Sequence, residues 1–117
     1  MGSNIPTLTI REKTIGNIDM QLYTGDDTID LSEVDHLQLE MRDKQGKVYS
    51  YSTDDETPYI SIVTAASGKV RFSPPSNTFF IAARQPYSGY WIVWTAADKN
   101  YAVPENFEFI IYVREEF

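Results

Sequence analysis

The sequence predicts an all-β fold, an antiparallel β-sandwich of about seven or eight strands with one short helical segment near residues 76–83. Two observations carry this prediction. Short segments in which apolar and polar residues alternate recur along the chain, and turn residues separate them at intervals of about 8–12 residues. Apart from residues 76–83, no segment is a plausible helix. The length of 117 residues fits a single domain spanning residues 1–117.

The first half of the chain contains four predicted strands, at residues 7–10, 18–22, 37–42 and 48–52. The third is the clearest, because Leu37, Leu39 and Met41 alternate with polar residues, whereas a helix would scatter them over two faces. We therefore expect Leu39 to point into the core. The connection to the fourth strand is a predicted hairpin turn in which Gly46 is a candidate for a positive φ.

The second half contains four more predicted strands, at residues 60–64, 70–72, 90–97 and 107–114. Pro74 and Pro75 end the second of these, because proline cannot donate to a β-ladder. Ser76 is a suitable N-cap for the short helical segment, whose apolar residues are expected to plug one end of the sandwich. A turn that ends in Gly89 is expected to precede the strand at residues 90–97.

The charge and the hydropathy argue against several partners. Lys and Arg total 10 and Asp and Glu total 17, a formal net charge of −7. Such a surface repels nucleic acid and anionic lipid, so neither nucleic acid nor a membrane is an expected partner. The N-terminus has no pattern of a secretion signal, and no segment has the ~20 apolar residues that cross a bilayer.

The residues that carry enzyme chemistry are scarce. His36 is the single histidine, and there is no cysteine. A nucleophile needs a base and an orienting group, and no phosphate-binding or dinucleotide-binding motif occurs. We therefore expect a protein that is not an enzyme and holds no cofactor. His36 is interpreted as a residue near the surface where a strand begins.

Two acidic clusters are the only candidates for a metal site. One comprises Asp26, Asp27 and Asp30, and the other comprises Asp54, Asp55 and Glu56. Carboxylate oxygens suit calcium, but neither cluster has the spacing of a calcium-binding loop. Both are interpreted as solvated loops, and no metal site is predicted.

Aromatic residues are the candidates for a functional surface. Residues 90–97 are apolar on both faces: one carries Tyr90, Ile92 and Trp94, and the other carries Trp91 and Val93. Such a strand is either covered on both sides or presents one face to a partner. The candidates for a protein interface or a sugar-stacking platform are Trp91, Tyr49, Tyr51 and Tyr112. The alternative is that these aromatics fill the core and the strand surfaces.

Four segments of the chain resemble the immunoglobulin-like N-terminal domain of baseplate upper proteins of tailed bacteriophages. Residues 37–48 resemble its strand, D-x-x-G turn and returning strand, with Asp43 and Gly46 as the turn residues. Residues 62–72 contain the similar A-x-x-G-K-V hairpin. Residues 87–94 and 107–114 resemble a core strand and the closing strand of that domain.

The resemblance implies an immunoglobulin-like sandwich that is a component of a phage virion. Baseplate upper proteins continue after this domain into an attachment or assembly region, whereas this chain stops at Phe117. The expected role is structural or accessory, in the baseplate, the tail, the neck or as a head decoration. The expected partners are other virion proteins in an oligomeric assembly. The alternative function is a carbohydrate-binding module that aids adhesion to the host surface.

Overall fold

The fold is all-β, as the sequence predicts. A computed structural model of the chain describes residues 7–12, 16–24, 27–76, 78–96, 98–104 and 108–115. The strands in this part of the chain are β1 Thr7–Arg11, β2 Ile18–Gln21, β3 Tyr23–Thr24, β4 Asp27–Thr28, β5 His36–Arg42, β6 Val48–Ser52, β7 Ile60–Thr64, β8 Lys69–Phe72, β9 Tyr87–Ala96, β10 Lys99–Val103 and β11 Phe109–Arg114. Short 3₁₀ helices occupy Ala65–Ser67 and Ala82–Arg84. None of the helices described has the length and apolarity needed to cross a membrane.

The strands form two main sheets and one short ladder. The larger sheet has the order β1-β11-β9-β5-β6, with β10 also paired to β9, and the smaller sheet has the order β2-β8-β7. Strands β3 and β4 form a separate two-stranded ladder. Strands β5 and β6 pair as the predicted hairpin, with Leu39 opposite Tyr51, and Gly46 in its turn has the predicted positive φ, at 90°.

One pairing corrects the prediction of a purely antiparallel fold. Strands β1 and β11 are parallel, with Thr7 opposite Ile110 and Arg11 opposite Arg114. The two strands come from opposite ends of the described chain. The alternation of apolar residues marks a strand and its buried face, but it does not encode the direction of a neighbour so distant in sequence.

The core lies between the two main sheets. Leu39 is fully buried, which confirms the prediction that it points into the core. The ring centroids of Tyr51 on β6 and Phe72 on β8 lie 5.4 Å apart, which joins the two sheets. Trp91 on β9 also spans the gap, because its indole Nε1 lies 3.4 Å from the sulfur of Met20 on β2.

The helical segment near residues 76–83 is a second correction. Its only helical residues are the first two of the 3₁₀ helix Ala82–Arg84, and Asn77 lies outside the described residues. The Tyr87 hydroxyl donates to the Phe79 carbonyl oxygen at 2.8 Å and accepts from the Ile81 amide at 3.2 Å. These backbone groups are therefore bound to a tyrosine side chain instead of to a helical turn. Phe79 and Phe80 are buried, in agreement with an apolar plug.

Strand β9 begins earlier than residue 90, and β10 has no counterpart among the predicted strands. Gly89 is a strand residue, not a turn residue, and it is glycine because the sheet leaves no space for a side chain. A Cβ placed there would lie 2.7 Å from Cγ of Met41 and closer still to the Glu40 carbonyl oxygen. The predicted strand residues Ala97 and Phe107 lie outside the described residues.

A candidate docking face on the larger sheet

The outward side of β9 is the centre of the candidate site. Burial alternates along this strand, so that Trp91 and Val93 are buried while Tyr90, Ile92 and Trp94 are only partly buried. Alternate residues of a strand point to opposite faces of the sheet. Tyr90, Ile92 and Trp94 therefore lie on the side away from the core, and we call the sheet surface that they occupy the outer face.

Strand β5 supplies the polar neighbours of this apolar row. Glu40, Gln38 and His36 lie opposite Tyr90, Ile92 and Trp94. The Trp94 indole donates from Nε1 to Oε1 of Gln38 at 2.7 Å. The His36 ring stacks on the Trp94 ring, with centroids 5.2 Å apart and planes 13° apart. The Trp94 side chain is thus held in place by both neighbours, which lowers the entropy cost of presenting it to a partner.

Strands β6 and β11 extend the outer face on either side. One row of paired residues crosses four strands of this face. On β9, Ser88 pairs with Ile110 of β11 on one side and with Arg42 of β5 on the other, and Arg42 pairs in turn with Val48 of β6. Val48 is 61% exposed. Tyr112, two residues after Ile110 and therefore on the same side of β11, is 42% exposed. The outer face therefore has apolar groups on three of its strands, β11, β9 and β6.

Of the four residues predicted from the sequence as interface or sugar-stacking residues, Tyr112 alone is exposed. Trp91 is 1% exposed. Tyr49, Tyr51 and Trp91 occupy β6 and β9 positions that pair with Met41 or Leu39, and these two residues face the core. Strand pairing places paired residues on the same face, so these three rings are packed inward and cannot stack on a flat ligand.

Tyr49 and Tyr51 have specific structural partners. The Tyr49 ring lies 4.8 Å from the Phe79 ring, and the Tyr51 ring packs on Tyr59 and Phe72. Burial, with a smaller contribution from Tyr49 and Tyr59, raises the pKa of the Tyr51 hydroxyl to about 12. Both side chains therefore support the inner face of β6 and fill the core, as the alternative interpretation of the aromatics states.

A buried carboxylate fixes the end of the β5–β6 hairpin. Asp43 is 4% exposed, and its Oδ1 accepts from the amides of Gln45 at 2.9 Å and Lys47 at 3.0 Å. Its Oδ2 accepts from the Tyr49 hydroxyl at 3.0 Å. Burial alone would raise the pKa of Asp43, but these hydrogen bonds outweigh it and hold the pKa below its ordinary value. The carboxylate thus takes the place of backbone partners in the turn.

The two acidic clusters do not assemble as calcium sites among the described residues. Asp30 accepts from the Ser32 amide, and Asp55 accepts from the Ser52 amide, both at 2.9 Å. Asp27 is an exposed residue of β4, and Asp26 lies outside the described residues. Asp54 instead approaches His36, and three side chains of types that can ligate a metal come together there, those of Asp35, His36 and Asp54. Sequence reasoning missed this group because its members are brought together by strand pairing.

The sequence matches no protein-family model and shows no significant match to a curated protein. What the outer face can do therefore follows from its own chemistry. Aromatic and aliphatic side chains, flanked by hydrogen-bonding residues and held in a rigid sheet, are suited to binding another surface. The sequence carried a signal for these residues in the alternation of Tyr90, Ile92 and Trp94.

Proposed function

We propose that this protein is a non-enzymatic structural component of a tailed-bacteriophage virion and acts by docking through the outer face. The observation that carries the proposal is the row formed by Tyr90, Ile92 and Trp94 on the side of the sheet opposite the core, with exposed Tyr112 on the same face. Rigid aromatic side chains are the usual anchors of protein interfaces. The resemblance of residues 37–48, 62–72, 87–94 and 107–114 to a phage domain supplies the setting.

The strand order supports the immunoglobulin-like part of the proposal. The smaller sheet, β2-β8-β7, corresponds to strands B, E and D of that fold, and β11-β9-β5-β6 corresponds to G, F, C and C′. Tyr87 supports it further. Its hydroxyl bonds back to the Phe79 backbone from the start of β9, as the tyrosine of the E–F corner does in immunoglobulin domains.

Virion proteins are the expected partners, in an assembly of many copies within the baseplate, tail, neck or head. The first test is mass spectrometry of purified particles of the phage that encodes the chain, in which the protein should be present. Its absence from the particles rejects the virion role.

The second test asks whether the outer face is the docking surface. Tyr112→Glu should lower incorporation into particles at least tenfold, because it places a charge in an apolar contact. Tyr23→Glu is the matched control: Tyr23 is 47% exposed but belongs to the separate β3–β4 ladder. Both variants should melt like the wild type. Equal incorporation of the two variants contradicts docking through the outer face.

Carbohydrate binding is the second candidate function, and residues other than those predicted from the sequence support it. Tyr90 and Trp94 lie beside Gln38 and Glu40, a combination of aromatic rings and polar groups that also suits a sugar ligand. Binding of host cell-wall polysaccharide should change the tryptophan fluorescence. The absence of hits on a glycan array, together with unchanged fluorescence, rejects this candidate.

A further inference from the structure

Three segments of the chain meet where β5 begins. Asp35 precedes β5, His36 is the first residue of β5, and Asp54 follows the end of β6. The Asp35 amide donates to the carbonyl oxygen of Trp94 on β9 at 2.7 Å, which fixes this end of β5 against the neighbouring strand. Side chains that are 18 or 19 positions apart in sequence are therefore adjacent in space.

Two carboxylates converge on one imidazole nitrogen at this point. His36 Nδ1 lies 2.7 Å from Oδ2 of Asp35 and 3.5 Å from Oδ2 of Asp54. The three ligand atoms all lie within 4.8 Å of one another. Around a tetrahedral zinc ion with bonds of 2.0–2.2 Å, ligand atoms lie about 3.4 Å apart. Shifts of a few tenths of an ångström to about an ångström in exposed side chains would bring the three atoms to that spacing.

The turn after β6 leaves the Asp54 carboxylate directed at His36. The Thr53 amide donates to the Leu37 carbonyl oxygen at 3.0 Å, and the Leu37 amide donates to Thr53 Oγ1 at 3.1 Å. Asp55 binds the Ser52 amide through its carboxylate, and the Asp54 amide donates to Ser52 Oγ. None of these bonds uses the carboxylate of Asp54. The turn is thus built by its other groups.

The charges and the exposure of the group favour a cation. An imidazole Nδ1 has at most one proton to donate, so it cannot fully satisfy two carboxylates that approach it from different segments. The stacking of His36 on Trp94 restricts the rotation of the imidazole. The side chains of His36, Asp35 and Asp54 are 17%, 48% and 67% exposed, which leaves room for water to complete the coordination.

We propose that Asp35, His36 and Asp54 form a binding site for a divalent transition-metal ion of the zinc type. One nitrogen and two oxygen donors suit such an ion, whereas calcium takes six to eight oxygens. On binding, the ion replaces any proton on His36 Nδ1, and that proton passes to solvent. The bound ion ties the turn after β6 to the start of β5, beside the outer face. This site is independent of the proposed phage role.

The test is a titration of the purified chain, without a histidine tag, with zinc chloride by calorimetry. We expect one ion per chain at micromolar affinity. Asp54→Asn should weaken binding at least tenfold. Glu56→Gln, which removes the same charge from the same exposed loop, should bind within twofold of the wild type. Because His36 is the single histidine, its imidazole nitrogen resonances report the site directly, and Nδ1 should shift on saturation with zinc.

Three results would overturn the site. One is the absence of zinc binding up to millimolar concentration. Another is an equal loss of zinc affinity in Asp54→Asn and Glu56→Gln, together with His36 resonances that do not shift. This result would mean that zinc binds to surface carboxylates only. The third is equally tight binding of calcium, which would show that the imidazole is not a ligand. Melting of both variants without metal should match the wild type, since both residues are exposed.

Discussion

Asp43 offers a sharp test of how the β5–β6 hairpin is held, because one buried carboxylate accepts three hydrogen bonds. A hydrogen bond to a charged group contributes about 1.5–3 kcal/mol. The two amide donors belong to exposed residues and can bind water when the carboxylate is removed, whereas the half-buried Tyr49 hydroxyl loses its acceptor. We therefore expect Asp43→Ala to lower the free energy of unfolding by about 2–4 kcal/mol.

Asp43→Asn separates the charge from the hydrogen bonds. Its amide oxygen can still accept from the two backbone amides, so the expected cost at pH 7 is about 1 kcal/mol. The assay is urea unfolding followed by tryptophan fluorescence, with Asp98→Ala as an exposed control that should stay within about 0.5 kcal/mol of the wild type. Two results would contradict the stabilising role of the Asp43 hydrogen bonds. One is a decrease in the free energy of unfolding below about 1 kcal/mol in Asp43→Ala, and the other is an equal decrease in Asp43→Ala and Asp43→Asn.

The pH dependence gives a second measurement on the same residue. The folded-state pKa of Asp43 lies below its ordinary value. Its contribution to stability is therefore fully present above the unfolded pKa of about 3.9 and is lost as the pH falls through the lower folded pKa. The wild type should lose more stability than Asp43→Asn between pH 5 and the acid range. Parallel curves for the two proteins would contradict the assignment.

The remaining predictions concern the core, the sheet and the alkaline range. Leu39→Ala should cost about 2–5 kcal/mol in urea unfolding, whereas Gln38→Ala, which removes one acceptor on the outer face, should cost about 1 kcal/mol; equal costs would contradict the register. Gly89→Ala should lower the melting temperature, because its Cβ would overlap the Met41 side chain. An unchanged melting temperature would show that β9 and β5 can move apart at no cost in stability. The pKa of the Tyr51 hydroxyl is raised to about 12 in the folded protein. Its contribution to the free energy of unfolding is therefore fully present below about pH 10 and is lost as the pH rises towards 12. Tyr51→Phe should lose less stability than the wild type between about pH 10 and 12. An equal loss in the two proteins would mean that other residues cause it.

The sequence predicted well those parts of the fold in which local chemistry decides the structure. Leu39 lies on the predicted face because period-two alternation permits a single buried side for the strand. Gly46 has a positive φ because a tight hairpin turn requires it. Neither feature depends on which distant segment lies beside the strand.

The predictions that were wrong concern features that depend on contacts between residues distant in sequence. Glycine signals a turn in sequence, but Gly89 is in a strand because Met41 and Glu40 approach its Cα. The helical segment is lost because Tyr87 binds the backbone groups of Phe79 and Ile81. The choice of Trp91 as a surface residue followed residue type, whereas the pairing of Trp91 with Leu39 decides its direction.

The parallel pairing of β1 with β11 has a mechanical consequence. Thr7 and Ile110 lie at one end of this ladder, and Arg11 and Arg114 lie at the other. Tension between Thr7 and Arg114 would therefore pull the two strands lengthwise in opposite directions. The five paired positions would share the load, instead of separating one after another as in a hairpin opened from its free end. A chain stretched in this way is therefore loaded in shear, and its resistance comes from all five paired positions at once.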